Sequence, residues 1–113
     1  MIASLRPKSY QKYLTLPIFG SILDEFITWS LDRGYTTGTM KGKLKDVRRI
    51  DAYFRGAGAQ RLEDLSQRSF ESGWRHYCHL HPNMAGTIRL MEYFLREIGR
   101  LDPLSTQLKM RTI

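Results

Sequence analysis

The residues best suited to chemistry in this chain are lysines and arginines that recur at helical spacing. Lys41, Lys45 and Arg48 stand at i, i+4 and i+7, which places them on one stripe of a helix. Lys43 and Arg49 flank that stripe. A row of cations at this spacing can contact several phosphates along a nucleic-acid backbone. The pattern therefore indicates that the chain binds a polyanion; the alternative is a solvated helix face, which ordinarily mixes both signs of charge.

The positive charge of the chain is concentrated in the same region. Between Tyr35 and Arg61 lie seven of the 18 Lys and Arg residues and only two acids, Asp46 and Asp51, so seven cations less two acids give +5 of the total formal charge of +7. A field focused on one element favours a polyanionic partner.

Three threonines precede this basic segment. Hydroxyl groups at a helix N-terminus can donate to phosphates, because the free backbone N–H groups and the helix dipole already favour anions there. Thr36 is better explained as the N-cap residue, whose hydroxyl accepts from those N–H groups. For Thr37 and Thr39, contact with phosphate and a purely structural role both stay open.

A second set of cations lies near the end of the chain. Arg89, Arg96 and Arg100 recur at i, i+7 and i+11, outside the apolar stripe of the last predicted helix. Glu92 and Glu97 lie nearby. The arginines therefore have two interpretations: a second surface for the polyanion, or intramolecular ion pairs.

Histidines and the single cysteine cluster at the end of the third predicted helix. Imidazole and thiolate are zinc ligands, but on a helix only His76 with His79, or Cys78 with His81, share a face. The chain has no further His or Cys to complete a site. The sequence therefore predicts no metal site, no cofactor and no catalytic residue, although a metal enzyme built on His76, Cys78 and His79 is an alternative.

Apolar periodicity predicts four helices and no strand. The first runs from about Ser21, its N-cap, to Asp32, and the second begins after Thr36 and ends at Gly56. Ser66 is a predicted N-cap, and the helix that follows it places Phe70, Trp74 and Tyr77 on one face. Asn83 is the predicted N-cap of the last helix, which runs from about Met84 to Ile98 and ends before Gly99.

Short connections between these helices predict an all-α fold, a small orthogonal bundle of four helices. Residues 18–102 form this helical domain, and residues 103–113 form an exit segment. Residues 1–17 are predicted to be a flexible basic tail, because Pro7 and Pro17 break any helix there. Within that tail cations alternate with aromatic rings and could follow a groove of the partner: Lys8, Tyr10, Lys12 and Tyr13.

Composition narrows the class of protein. With 113 residues, 42% of them hydrophobic and 26% charged, the chain has the composition of one globular domain and not of a disordered segment. No apolar run is long enough to cross a bilayer, and residues 1–17 lack the apolar core of a signal peptide. A lone cysteine, Cys78, suits a reducing compartment. We therefore expect a cytoplasmic protein that does not bind a membrane.

Four segments occur in an order that is typical of one family. They are Gly34-Tyr35-Thr36-Thr37-Gly38-Thr39, the basic helix with a late aromatic over residues 43–54, Leu62-Glu63-Asp64-Leu65-Ser66, and the last helix over residues 88–101. Their succession resembles the N-terminal core-binding domain of the tyrosine recombinases, also called phage-type integrases. The resemblance covers residues 19–102.

The resemblance implies a SAM-like helical domain that clamps one face of duplex DNA at a recombination site, using the basic helix and the last helix. In this family a separate C-terminal domain cuts and rejoins the strands through a tyrosine. Its motifs span more sequence than follows Leu101, so we expect this chain to be a fragment. The expected partners are double-stranded DNA, the catalytic domain of the same polypeptide, and further copies assembled on DNA.

A second function stays open at this stage. Tyr35, Tyr53 and the basic stripe could instead meet an acidic protein, which would make the chain a helical protein-interaction module. In both functions this chain binds a partner and catalyses no reaction.

Overall fold

The computed structural model describes residue 8 and residues 10–101 of the chain. The predicted exit segment, and residues 1–7 and 9 of the predicted tail, lie outside this range. Within it the chain is all-α, as the sequence predicted, and contains no strand. Its elements are α1 (Tyr10–Leu14), α2 (Gly20–Asp32), α3 (Thr37–Gly56), a 3₁₀ turn (Leu62–Asp64), α4 (Gln67–Tyr77) and α5 (Pro82–Glu97).

The last helix, α5, lies at the centre of the packing. It contacts α2, α3 and α4, while α1 packs on α2. Phenylalanines join the elements: Phe19, Phe54 and Phe70 meet with ring centroids 5.4 to 6.5 Å apart, and Phe26 meets Phe94 edge-to-face at 5.4 Å. These rings are almost completely buried, so they supply much of the apolar area that stabilises the fold.

Two of the predicted helix starts are confirmed. Thr36 Oγ1 accepts a hydrogen bond from the backbone N–H of Thr39 at 3.2 Å, which caps α3. Ser66 Oγ accepts from the N–H of Ser69 at 3.4 Å, and the N–H of Ser66 donates to Ser69 Oγ at 3.1 Å. Each cap satisfies N–H groups that have no partner within their helix.

Two other predicted caps are wrong. The N-cap of α2 is Phe19 and not Ser21. No side chain caps this helix, and the N–H of Phe19 itself donates to the Asp51 carboxylate of α3. In α5 the helix begins at Pro82 with His81 as the N-cap, before the predicted cap Asn83. Proline suits the first helical position, since it needs no hydrogen bond there and its φ is already helical.

Residues 10–14 also differ from the prediction of a tail without helix. Tyr10–Leu14 form α1, and the side chain of Tyr13 is only 5% exposed. The backbone of α2 comes close to the end of α1: a Cβ built on Gly20 would lie 2.4 Å from the carbonyl oxygen of Leu14. Burial of Tyr13 and this close approach hold α1 on the domain, which local propensity could not reveal.

The carboxylate of Asp51 connects α3 to the segment between α1 and α2. Its Oδ2 atom accepts hydrogen bonds from the backbone N–H groups of Ile18 and Phe19, both at 3.0 Å. Its Oδ1 atom accepts from Arg55 Nε at 2.9 Å. Asp51 is completely buried, so these three donors replace the water that its charge would otherwise require.

We expect Asp51→Ala to lower the free energy of unfolding by about 2–4 kcal/mol, because two buried N–H groups lose their acceptor and Arg55 loses its ion pair. Asp51→Asn keeps an acceptor and should cost less. Urea denaturation followed by circular dichroism measures both. The control is Glu25→Ala at an exposed position of α2, expected within about 0.5 kcal/mol of the unmodified chain. Equal stability of Asp51→Ala and the control would contradict this role.

The same measurement tests the contact between α1 and α2. Gly20→Ala forces a methyl group against the Leu14 carbonyl, so we expect a loss of about 1–3 kcal/mol. Gly42→Ala is the matched control, since a Cβ there meets no atom within 4 Å and the alanine should stabilise α3 by about 0.5–1 kcal/mol. A neutral Gly20→Ala would show that α1 is not held as described.

Candidate functional site

A groove between α1 and α3 brings five cationic side chains together. Its volume is about 600 Å³, and no acidic side chain among the residues that the structure describes lines it. We call it the basic groove. Its lining residues are the cations Lys12, Lys45, Arg48, Arg49 and Arg55, together with Tyr13, Leu16 and Ala52.

The α3 side of the basic groove follows from helical spacing. Lys45, Arg48, Ala52 and Arg55 stand at i, i+3, i+7 and i+10, so they form one stripe. Ten residues of helix span roughly 15 Å, over which one DNA strand presents about four phosphates. Alanine at the third of these positions leaves space between the long cationic side chains. The stripe can therefore face several anionic groups at once.

Most cations of the basic groove have no acidic partner. Among the described residues, Lys12, Lys45, Arg48 and Arg49 take part in no ion pair, and Arg55 pairs with the buried Asp51. Unpaired cations at close range repel one another, and an anionic ligand relieves this repulsion. The electrostatics of the basic groove favour a polyanion.

Two of these cations were not assigned to the site from the sequence. Lys12 belongs to α1, and only the docking of that helix brings it beside α3. Arg55 continues the stripe of Lys45 and Arg48, so its spacing could have identified it. The alternation of cations and tyrosines over residues 8–13 was the only local signal for Lys12.

The predicted residues at the start of α3 lie outside the basic groove. Lys41 is exposed on the same stripe, one turn before Lys45. Thr37 and Thr39 are exposed in the first turn, where Thr36 Oγ1 donates to Thr39 Oγ1 at 2.9 Å. Thr39 is therefore part of the cap, and Thr37 places an exposed hydroxyl at the N-terminal end of α3.

Lys43 is separate from the basic groove. Its Nζ atom donates to Thr87 Oγ1 of α5 at 3.3 Å and lies 6.0 Å from the centroid of the Tyr35 ring. Burial lowers the pKa of Lys43, and the nearby Asp46 carboxylate partly opposes this effect. Thr87 is buried and also bonds Asp46 at 3.2 Å. Lys43 thus joins α3 to α5, and the structure does not place it with Lys45.

The three arginines of the second predicted set are held by acids; Arg100, which follows α5, lies 3.5 Å from Glu63 Oε2. Arg89 Nη1 lies 3.2 Å from Glu71 Oε2 and 3.1 Å from Glu92 Oε1, and its guanidinium lies 4.6 Å from the centroid of Trp74. Arg96 Nη1 lies 3.9 Å from Glu92 Oε2. Neither side chain lines the basic groove. The ion-pair interpretation of this second set of cations therefore describes the structure better.

Acidic residues gather on another surface of the domain. Asp24, Glu25 and Asp32 of α2 line a depression of about 370 Å³ together with Trp29 and residues of α5. We call it the acidic surface. The acidic surface and the basic groove share no lining residue, so these acids do not neutralise the cations of the groove locally.

Two residues of the histidine and cysteine cluster make contacts with neighbouring residues. The His76 ring stacks on Tyr53 with centroids 4.8 Å apart, and Cys78 Sγ donates to the Arg75 carbonyl oxygen at 3.5 Å. Within residues 10–101, no three His, Cys, Asp or Glu side chains are arranged to hold a metal ion. None of the helices in the same range has the length and apolar character needed to cross a membrane.

Comparisons with protein-family models, with curated proteins and with solved structures find no match to this chain.

Arg89→Gln should lower the free energy of unfolding by about 1–2 kcal/mol, since it leaves Glu92, which is only 3% exposed, with fewer donors. The same variant should leave affinity for nucleic acid unchanged, because Arg89 lies outside the basic groove. Urea denaturation and a fluorescence-anisotropy titration with duplex DNA measure the two quantities. If Arg89→Gln weakened DNA binding without lowering the free energy of unfolding, Arg89 would belong to the DNA-binding surface.

Proposed function

We propose that this chain is a DNA-binding domain of a site-specific recombinase of the tyrosine type, and that the basic groove contacts the DNA backbone. The observation that supports it most strongly is the meeting of five cations from α1 and α3 in a groove without an acid. Phosphates are the anions that present charge at regular short intervals along a polymer.

The groove is suited to this role because its shape is largely formed before binding. Arg55 is oriented by Asp51, and α1 is held by the burial of Tyr13, so the backbone of the groove and one of its five cations are positioned before contact. Each phosphate that a cation neutralises releases condensed counterions, which supplies affinity without reading the sequence of bases.

The proposed family follows from the order of the elements. Helices α2 to α5 occur where four helices were predicted, with α1 before them; their SAM-like orthogonal arrangement is part of the proposal. In this proposal the domain positions a cytoplasmic recombinase on double-stranded DNA, where further copies assemble. A separate catalytic domain of the same polypeptide performs strand cleavage, and this chain contributes no catalytic residue.

The alternative of an acidic protein partner gains less support. Tyr35 and Tyr53, the aromatic residues on which it depends, do not line the basic groove. Tyr35 lies near Lys43, and Tyr53 packs on His76. A groove with few apolar contacts suits a phosphate backbone better than an amphipathic peptide.

Fluorescence anisotropy of a labelled duplex, titrated at several salt concentrations, tests the proposal. The logarithm of affinity should fall with the logarithm of salt concentration with a slope of roughly −3 to −5, as expected for four or five neutralised phosphates. The double variant Lys45→Gln/Arg48→Gln should weaken binding and make the slope shallower by about 2.

The matched control removes the same charge elsewhere. Arg68→Gln/Arg75→Gln changes two exposed cations of α4 that lie outside the basic groove and should leave the slope unchanged. Equal effects of the two double variants would show that only net charge matters. Tighter binding to an acidic peptide than to DNA would favour the protein-interaction module.

A further inference from the structure

A second depression adjoins the basic groove and is lined by aromatic rings. Its volume is about 710 Å³, and Arg49 and Ala52 line both it and the basic groove. We call it the aromatic depression. Its lining residues are Arg49, Ala52, Tyr53, Tyr77, His81 and Met84.

The rings of the aromatic depression hold one another in place. Tyr53 and Tyr77 meet edge-to-face with centroids 5.4 Å apart, and His76 stacks on Tyr53. The His81 ring lies 6.4 Å from Tyr77. Tyr53 and Tyr77 are half-buried, and His81 is exposed. Rings fixed by their neighbours lose little conformational freedom when a further ring packs on them.

The cation Arg49 lines the aromatic depression together with Tyr77. Partial burial and the neighbouring Tyr53 raise the pKa of Tyr77, while the positive charge of Arg49 partly opposes that rise. Cation and aromatic surface lie side by side, next to a row of four more cations.

We propose that the aromatic depression stacks an unpaired nucleobase of a strand whose phosphates lie in the basic groove. This inference rests on the proposed function, since the same cations must hold the backbone. A positively charged groove beside aromatic side chains is the arrangement by which proteins bind single-stranded nucleic acid, and every base has a π-face that can stack. Bases within a duplex are already stacked on their neighbours, so an unpaired base is the one that fits.

The first experiment compares a labelled oligothymidylate with an abasic strand of equal length, which carries the same phosphates and no bases. Fluorescence anisotropy should give about five-fold or more tighter binding to the strand that carries bases. Equal affinities for the two strands would overturn the inference.

Variants at Tyr77 then locate the effect. Tyr77→Leu keeps an apolar side chain and should remove most of the preference, whereas Tyr77→Phe keeps the ring and should restore it. Tyr93→Leu is the matched control, because Tyr93 is 63% exposed and lies outside the depression. Should Tyr77→Leu fail to fold, His81→Ala provides the same comparison, since the His81 side chain makes no capping bond. A preference that survives both substitutions would overturn the inference.

Photocrosslinking gives a readout that does not depend on affinity. A strand containing 5-iodouracil should form adducts on Tyr53, Tyr77 or His81, identified by mass spectrometry; adducts confined to other residues would contradict the inference. If the chain binds a duplex but shows no preference for bases, only this inference fails. If it binds no oligonucleotide, the proposed function fails with it.

Discussion

The buried carboxylate of Asp51 joins the three parts of the chain on which the basic groove depends. It accepts from the backbone at Ile18 and Phe19, which fixes the start of α2 and with it the position of α1. It also orients Arg55 in the groove. Without this acceptor, the segment that enters α2 would carry two buried N–H groups that lack a partner, and its position against α3 would be less fixed. Fold and candidate site therefore share one polar interaction.

Cations in this domain fall into two classes that sequence alone does not separate. Lys43 and Arg89 are engaged across helix contacts, the first with Thr87 and the second with Glu71. Their charges are used to satisfy polar groups between elements. Lys45 and Arg48 form no ion pair within the described residues and repel one another on the surface. Only the second class leaves an electrostatic free energy that a ligand can lower.

The sequence was sufficient where local rules decide the outcome. The ends of α3 and the caps at Thr36 and Ser66 followed from spacing and side-chain chemistry, and the stripe on α3 followed from its period. The sequence was insufficient where the interacting residues come from distant segments of the chain. The N–H of Phe19, the N-cap residue of α2, donates to Asp51, which lies 32 residues away in the sequence. Helix α1 forms with Tyr13 buried, which a five-residue stretch cannot signal. The role of Lys12 was missed for the same reason, since it depends on where α1 docks.

The acidic surface on α2 has a consequence for how a partner arrives. Asp24, Glu25 and Asp32 repel the same polyanion that the basic groove attracts, so the domain carries an electric dipole moment as well as a net positive charge. Such a dipole orients the protein as it diffuses towards a polyanion, before any contact forms. A larger share of collisions then brings the basic groove to the partner. The acids of α2 would then contribute to the rate of association without touching the partner, and salt would suppress that contribution by screening.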